Sequence, residues 1–191
     1  MPERQPMVAV LAAGMARRFG GGKLDADLAG KPLGRWALDV VEAAGLTRRF
    51  IVTGPNAPQF AEDAPGWRRI VSPYPEQGLG ASVNAARAKA MDAEADLMLL
   101  LADMPLVEPG HLRSLLDTPG SSATRYPDAR LGVPALIRFR DLAHFADLTG
   151  DRGAAQVIAR LPGVTAVDAQ PQTLLDIDDA AGMETARQHL G

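Results

Sequence analysis

Four stretches of the chain carry residue types that could do chemistry together. The first, residues 11–23, reads LAAGMARRFGGGK. Its glycines, Gly14 and Gly20 to Gly22, let backbone N–H groups approach an anion closely, and Arg18 and Lys23 can offer charge to phosphate oxygens. The second is Asp103, in the segment LLLADMPLV, just beyond the most apolar run of the chain. A carboxylate there suits Mg2+, which takes few protein oxygens and completes its shell with water and phosphate. The third is Asp176-Ile177-Asp178-Asp179. Asp178 could be a second metal ligand while Asp178 or Asp179 caps the helix that follows. The fourth is Gln77-Gly78-Leu79-Gly80-Ala81-Ser82, where the first amides of a helix could hold an anion or a base edge.

Each stretch also has a plainer reading. The opening loop could be a glycine-rich surface loop. It is not a P-loop, because Arg17 stands where glycine is required and Leu24 where Ser or Thr is required. Nor is it a dinucleotide fingerprint, because Asp25 takes the last glycine position after Gly20-x-Gly22. Asp103 could form an Asx-type turn ahead of Pro105, and the glycines of 77–82 could simply open a helix. Gly150-Asp151-Arg152-Gly153-Ala154 reads as a helix cap whose charges could also face the site. His111, His144 and His189 lack metal-ligand spacing. The seven methionines read as core filler.

The elements that must position these residues follow from periodicity. Apolar runs of strand length occur at 7–12 (MVAVLA), 49–52 (RFIV), 68–71 (RRIV) and 96–102 (DLMLLLA). Between them, 34–44 (GRWALDVVEAA) has helical spacing with Gly45 at its end, and 81–91 is Ala-rich and helical. Strands apolar on both faces and separated by helices predict a parallel sheet covered on both sides. Further on, helices are predicted at 109–116, 139–148, 152–161 and 179–190, and strands at 123–126, 133–137, 164–167 and 174–177. With no internal repeat, low-complexity tract or linker, 191 residues predict one three-layer α/β domain with a Rossmann-like, mostly parallel sheet.

Composition sets the outer bounds. Hydrophobic residues make up 47% and charged residues 23%, as in ordinary folded chains. The net charge of −3 argues against a nucleic-acid binder. The first 35 residues are nevertheless net positive, and a local cationic patch on an acidic chain suits a small anionic ligand. The absence of cysteine excludes disulfides, zinc–thiolate sites, iron–sulfur clusters and a cysteine nucleophile. No apolar run is long enough for a transmembrane helix. The run before Arg17-Arg18 reads as a buried strand rather than a signal segment, which predicts a cytoplasmic protein without a membrane partner.

In order, these motifs resemble the MobA-like nucleotidyltransferase family, and its MocA-type branch of molybdenum cofactor cytidylyltransferases in particular. The resemblance is carried by Leu11-Ala12-Ala13-Gly14-x-x-x-Arg18-Phe19-Gly20-x-x-Lys23, then Gly30-Lys31-Pro32-Leu33 and Gln77 to Ser82. Ala102-Asp103-Met104-Pro105, Gly132-Val133-Pro134-Ala135, Gly150 to Ala154 and Asp176-Ile177-Asp178 complete it. It implies a Rossmann-like nucleotidyltransferase fold and transfer of a nucleoside monophosphate from an NTP to a phosphorylated acceptor, with release of pyrophosphate. Arg18 and Lys23 would bind the triphosphate, Asp103 would bind Mg2+, and Asp178 would be its second ligand. Leu11, Ala12, Ala13 and Gly14 would line the nucleotide, with Gly80 and Ser82 near the base. The guanylyl branch tends to have glycine at the position of Ala13, which favours CTP; the acceptor implied is molybdopterin, and a recipient molybdoenzyme or its chaperone would take the product. The chain departs from the family at Ala16, where serine is common, in a short 117–131 stretch, and at Asp179-Ala180 in place of Thr-Pro. A guanylyltransferase, a transferase for another phosphorylated metabolite and a non-catalytic cofactor-binding chaperone are the rival readings.

Overall fold

The computed structural model of the protein describes residues 5–14, 21–74, 77–146, 148 and 154–191. Its centre is strand β1 (Met7–Leu11), every residue of which is buried. A small antiparallel pair, β2 (Asp27–Leu28) and β3 (Lys31–Pro32), leads into helix α1 (Leu33–Ala43). Helix α1 buries Leu33, Ala37, Leu38, Val40 and Val41, the helical stripe expected from the sequence. It ends in a Schellman motif. Gly45 holds φ 79°, its N–H reaches Glu42, and the N–H of Leu46 reaches Val41.

The chain continues through β4 (Arg49–Thr53), α2 (Gln59–Glu62), β5 (Arg68–Val71), α3 (Leu79–Asp92) and β6 (Leu97–Leu101). Then come α4 (Pro109–Leu116), β7 (Ser122–Arg125), β8 (Leu131–Ile137), α5 (Ala154–Ile158), β9 (Thr165–Asp168) and α6 (Ala180–Leu190). The large sheet has the order β5-β4-β1-β6-β8-β7-β9. β1 is parallel to β4 and β6, β4 to β5, and β7 to β9, while β8 alone runs against its neighbours β6 and β7. The sheet is therefore mostly parallel, as the sequence predicts.

Alternate residues of the central strands feed two cores. Val8, Val10, Met98 and Leu100 pack on one face with α1, α4 and α6. Met7, Ala9, Leu11, Leu97 and Leu99 pack on the other with α3 and α5. Burial on both faces is why these strands read as continuous apolar runs.

Two expectations change. Residues 174–177 form no strand: Pro171–Leu174 is a 3-10 turn, and the chain then runs extended into the cap of α6. Proline at the start of that turn cannot donate to a strand ladder. The helix expected at 139–148 is a 3-10 helix over Phe139–Phe145. Of the helix expected at 152–161, Ala154–Ile158 is observed, while Gly150 to Gly153 lie outside the described residues.

Behind the sheet's upper edge, a short polar chain ties α4 to β7 and β8. His111 is 8% exposed, and its Nε2 lies 2.7 Å from Thr124 Oγ1. The Thr124 hydroxyl donates to the Pro134 carbonyl at 2.7 Å, so the imidazole N–H is the donor to Thr124. Burial lowers the His111 pKa, with Glu108 opposing in part. The unfolded chain therefore takes up a proton that the folded chain refuses, and stability must fall as pH drops below the ordinary histidine range, about 6.5. Urea unfolding between pH 8 and pH 5 should show wild type losing more stability than His111→Gln. The extra slope should approach about 1.4 kcal/mol per pH unit, the value for one proton. Equal slopes in the two proteins would refute this assignment.

Candidate functional site

The strand order reverses direction at one place. The chain moves from β1 outward to β4 and β5, then returns to lay β6 on the other side of β1. Ligands of open α/β sheets bind outside the carboxyl ends of strands at such a switch point. Leu11 and Leu101 are register partners at the ends of β1 and β6. Ala102 N–H bonds to Leu11 O, and Ala12 N–H to Val52 O, so Gly14 and Asp103 emerge from adjacent strands. Leu11, Ala12 and Ala13 are buried and Gly14 is exposed.

Lys23 reaches the same rim. Gly21 and Gly22 hold φ of 96° and 64°, a left-handed pair that other residues rarely adopt. They deliver the chain into the 3-10 turn Lys23–Asp25. The Asp25 carboxylate anchors that turn by accepting the Gln59 and Phe60 N–H groups at 2.9 and 2.8 Å, at the start of α2. The Lys23 side chain then runs inward and is 9% exposed. Its Nζ donates to Asp103 Oδ2 at 2.7 Å and to the Ile177 carbonyl at 2.6 Å, and lies 4.0 Å from Asp178 Oδ1. A buried ammonium is tolerated only with such partners.

The acidic group 176–179 divides its work by alternation. Ile177 is fully buried, and its N–H bonds to the Asp103 carbonyl at 3.0 Å. That bond pins the segment against the Asp103 loop. Asp176 and Asp178 flank the buried Ile177 and lie at the surface. Asp179 caps α6 by accepting the Gly182 N–H at 2.9 Å, which decides between the two capping candidates. Partial desolvation raises the Asp176 pKa, helped by the neighbouring charges of Asp103 and then Asp178. Asp176 thus feels both of the other carboxylates.

The donor set suits a hard divalent cation. Two carboxylates and a backbone carbonyl converge where the lysine ammonium now sits, and all are oxygen ligands. No cluster of three or more metal-binding side chains is arranged around one point among the described residues. A cation held by Asp103 and Asp178 would therefore keep open positions for water or phosphate, as Mg2+ does.

Other expected residues fall differently. Gly80 and Ser82 are buried in the first turns of α3, which begins at the same rim after β5. They make no hydrogen bond to Lys23 or Asp103. Arg18 lies outside the described residues, as do Ala16, Phe19 and Gly20. A groove of about 470 Å³ lined by Lys31, Trp36, Val107, Gln170, Thr173 and Leu190 excludes every candidate residue. Convergent charge, not this largely apolar concavity, marks the chemistry.

Asp176 and the Ile177 carbonyl stood in a named stretch without a role of their own, and Tyr126, which lies beside them, was not a candidate. An isolated isoleucine between two acids is a signal for the first two, since a buried anchor must turn its neighbours outward. Tyr126 has no such signal and arrives through the reversed strand. Because β8 runs opposite to β6, its first residues lie at the rim. Tyr126, just past β7, donates to Val133 O at 2.7 Å, and its ring stands 3.0 Å from where a Cβ on Gly132 would lie.

Residues 8–165 match the model of the MobA-like NTP transferase domain. The chain belongs to that family. The chain is 32% identical to bifunctional protein GlmU of Azorhizobium caulinodans over 155 residues, 78% of this chain and 32% of GlmU. The chain spans about a quarter to a third of the length of the GlmU relatives it matches. Among solved structures, Rv0371c of Mycobacterium tuberculosis superposes with TM-score 0.83 at 27% identity, covering 98% of this chain and 100% of that one. A second structure of Rv0371c holds manganese; it superposes at TM-score 0.76 and 25% identity, over 96% and 98% of the two chains. Molybdopterin-guanine dinucleotide biosynthesis protein A of Archaeoglobus fulgidus, at 19% identity, shares the fold with TM-score 0.71 over 96% of this chain and 98% of its own. This MobA-like chain therefore has the α/β nucleotidyltransferase fold.

The environment of Tyr126 can be tested directly. Burial raises its phenol to about pKa 12, and Asp176 adds to the shift. The chain has two tyrosines, so Tyr74→Phe isolates Tyr126. Absorbance at 295 nm in that variant should show no phenolate until pH approaches 12. A full phenolate step at pH 10 in folded protein would mean that Tyr126 is solvated and outside the acidic cluster.

Proposed function

We propose that this chain transfers CMP from CTP to the phosphate of a phosphorylated acceptor, molybdopterin, and releases pyrophosphate. One observation carries the reading. A cation from the first strand–loop segment, a carboxylate from the end of the central strand and a carboxylate before the last helix meet at one point, the Lys23 ammonium. That convergence suits a reaction between two anions, where catalysis consists of neutralising charge and aligning reactants.

In this reading an acceptor phosphate oxygen attacks the α-phosphorus in line. The new P–O bond forms as the bond to the β-phosphate oxygen breaks, and pyrophosphate departs with the electron pair. Asp103 and Asp178 would hold Mg2+, which when bound supplies positive charge against the reacting phosphates. Manganese in the mycobacterial relative supports a divalent cation. Lys23 and Arg18 neutralise the charge gathering on the leaving group. The acceptor phosphate is already ionised near neutral pH, so no side chain need remove a proton. His111, committed to Thr124, has no part in the reaction. Leu11, Ala12, Ala13 and Gly14 border the nucleotide mainly through backbone, since the first three side chains point into the core. Gly80 and Ser82 shape the floor under the base from within α3. Ala13, where the guanylyl branch tends to have glycine, favours CTP. A triphosphate substrate also fits the cytoplasmic setting expected from the sequence, and the product would pass to a molybdoenzyme or its chaperone.

Pyrophosphate release should be measured with CTP and with GTP, with and without molybdopterin. CTP with molybdopterin should give turnover that EDTA abolishes, and Asp103→Asn should lower it by about 10²–10³-fold. Turnover with GTP alone would make the chain a guanylyltransferase. Tight binding of a finished dinucleotide, with no pyrophosphate from any triphosphate, would make it a carrier. Near-normal turnover in folded Asp103→Asn protein at saturating Mg2+ would remove Asp103 from the metal site.

A further inference from the structure

We propose that Lys23 is the stand-in for the divalent cation: in the free protein its ammonium fills the seat among Asp103, Asp178 and the Ile177 carbonyl, and metal can enter only as the ammonium leaves. The inference rests on the reading above in using the same carboxylates, and it adds an order of events. The cation arrives together with the nucleotide, whose phosphates receive the displaced ammonium.

The geometry is specific. An ammonium has three donors, and three oxygens face this one at 2.7, 2.6 and 4.0 Å. They are a carboxylate oxygen, a carbonyl oxygen and a second carboxylate oxygen, the ligand types of a hard cation rather than of a typical surface ion pair. The lysine is 8% exposed, so it is a resident of the seat and not a surface side chain resting against it. A divalent cation and the ammonium cannot both occupy the point where these oxygens converge, because at contact distance the two positive charges repel.

The seat survives the exchange, because its walls do not depend on the lysine. Ile177 N–H remains bonded to the Asp103 carbonyl, and Ile177 stays in the core. The backbone under Lys23 is also held, by Asp25 on the start of α2. What moves is the four-carbon stem. Its reach is set by the backbone at Lys23, which Gly21 and Gly22, both at positive φ, deliver to the rim. A displaced ammonium then lies beside the seat, where it meets phosphate oxygens instead of carboxylates. The same charge thus screens the carboxylates when the site is empty and the triphosphate when it is full.

The test uses metal alone. Mn2+ binding followed by the loss of its free-ion EPR signal, without nucleotide or acceptor, should be about tenfold or more tighter in Lys23→Met than in wild type. Mn2+ should also raise the melting temperature of the variant more than that of wild type. Affinity in a folded Lys23→Met protein equal to or weaker than wild type would overturn the exchange. The wild-type chain gives a second measurement should the variant not fold. It has three lysines, at 23, 31 and 89, so 15N-labelled lysine yields few Nζ signals. The Lys23 Nζ signal should shift in step with Mg2+ occupancy while those of Lys31 and Lys89 stay put. Saturation with Mg2+ while the Lys23 signal remains unmoved would overturn the proposal. Neither readout needs turnover, so an absent cytidylyltransferase activity would count against the proposed reaction and leave this inference standing.

Discussion

A buried ammonium organises this molecule's working edge. Lys23 is separated from Asp103 by 80 residues and from Ile177 by 154, yet these are the groups that make its burial tolerable. An unpaired ion in that position would cost several kcal/mol, so the opening turn, the central sheet and the C-terminal segment are obliged to fold against one another. The Ile177 backbone makes the obligation two-sided, its N–H bound to Asp103 and its carbonyl to Lys23. The Ile177–Asp103 backbone bond holds the oxygen cluster together, and the Lys23 ammonium offsets its charge.

Sheet topology explains why the cluster lies where it does. The reversal of strand order between β1 and β6 opens a rim that neighbouring strands do not fill. The reversed strand β8 lengthens this rim. Its first residues, Gly132 and Val133, are brought level with the Asp103 loop, and Tyr126 closes over them.

The site also shows how like charges can be kept together. Burial, and then the charges of Asp103 and Asp178, raise the cost of ionising Asp176. One lysine offsets part of that cost, and a divalent cation would offset more. An arrangement with this charge imbalance is poised to take up positive charge, which is the property a phosphate-transfer site needs.

Much of this was legible in the residues themselves. The strands β1, β4, β5 and β6 follow from apolar runs, and α1 and α4 from helical spacing, because burial on one or two faces imposes a period on the sequence. Asp103 was recognisable as a rim carboxylate because it ends the most apolar strand, and the 179–190 helix with an aspartate cap because capping is a local interaction. The 174–177 strand failed for the converse reason: its apolar residues are buried by packing against the Asp103 loop rather than by a ladder. Partners were legible only through the family resemblance, which set Asp178 beside Asp103. That the Lys23 ammonium itself faces these carboxylates and that Tyr126 stands over Gly132 depend on which distant segments meet. Local sequence determines which residues prefer to be buried, turned or capped; only the sheet order and the neutralisation of a buried charge decide who their neighbours are.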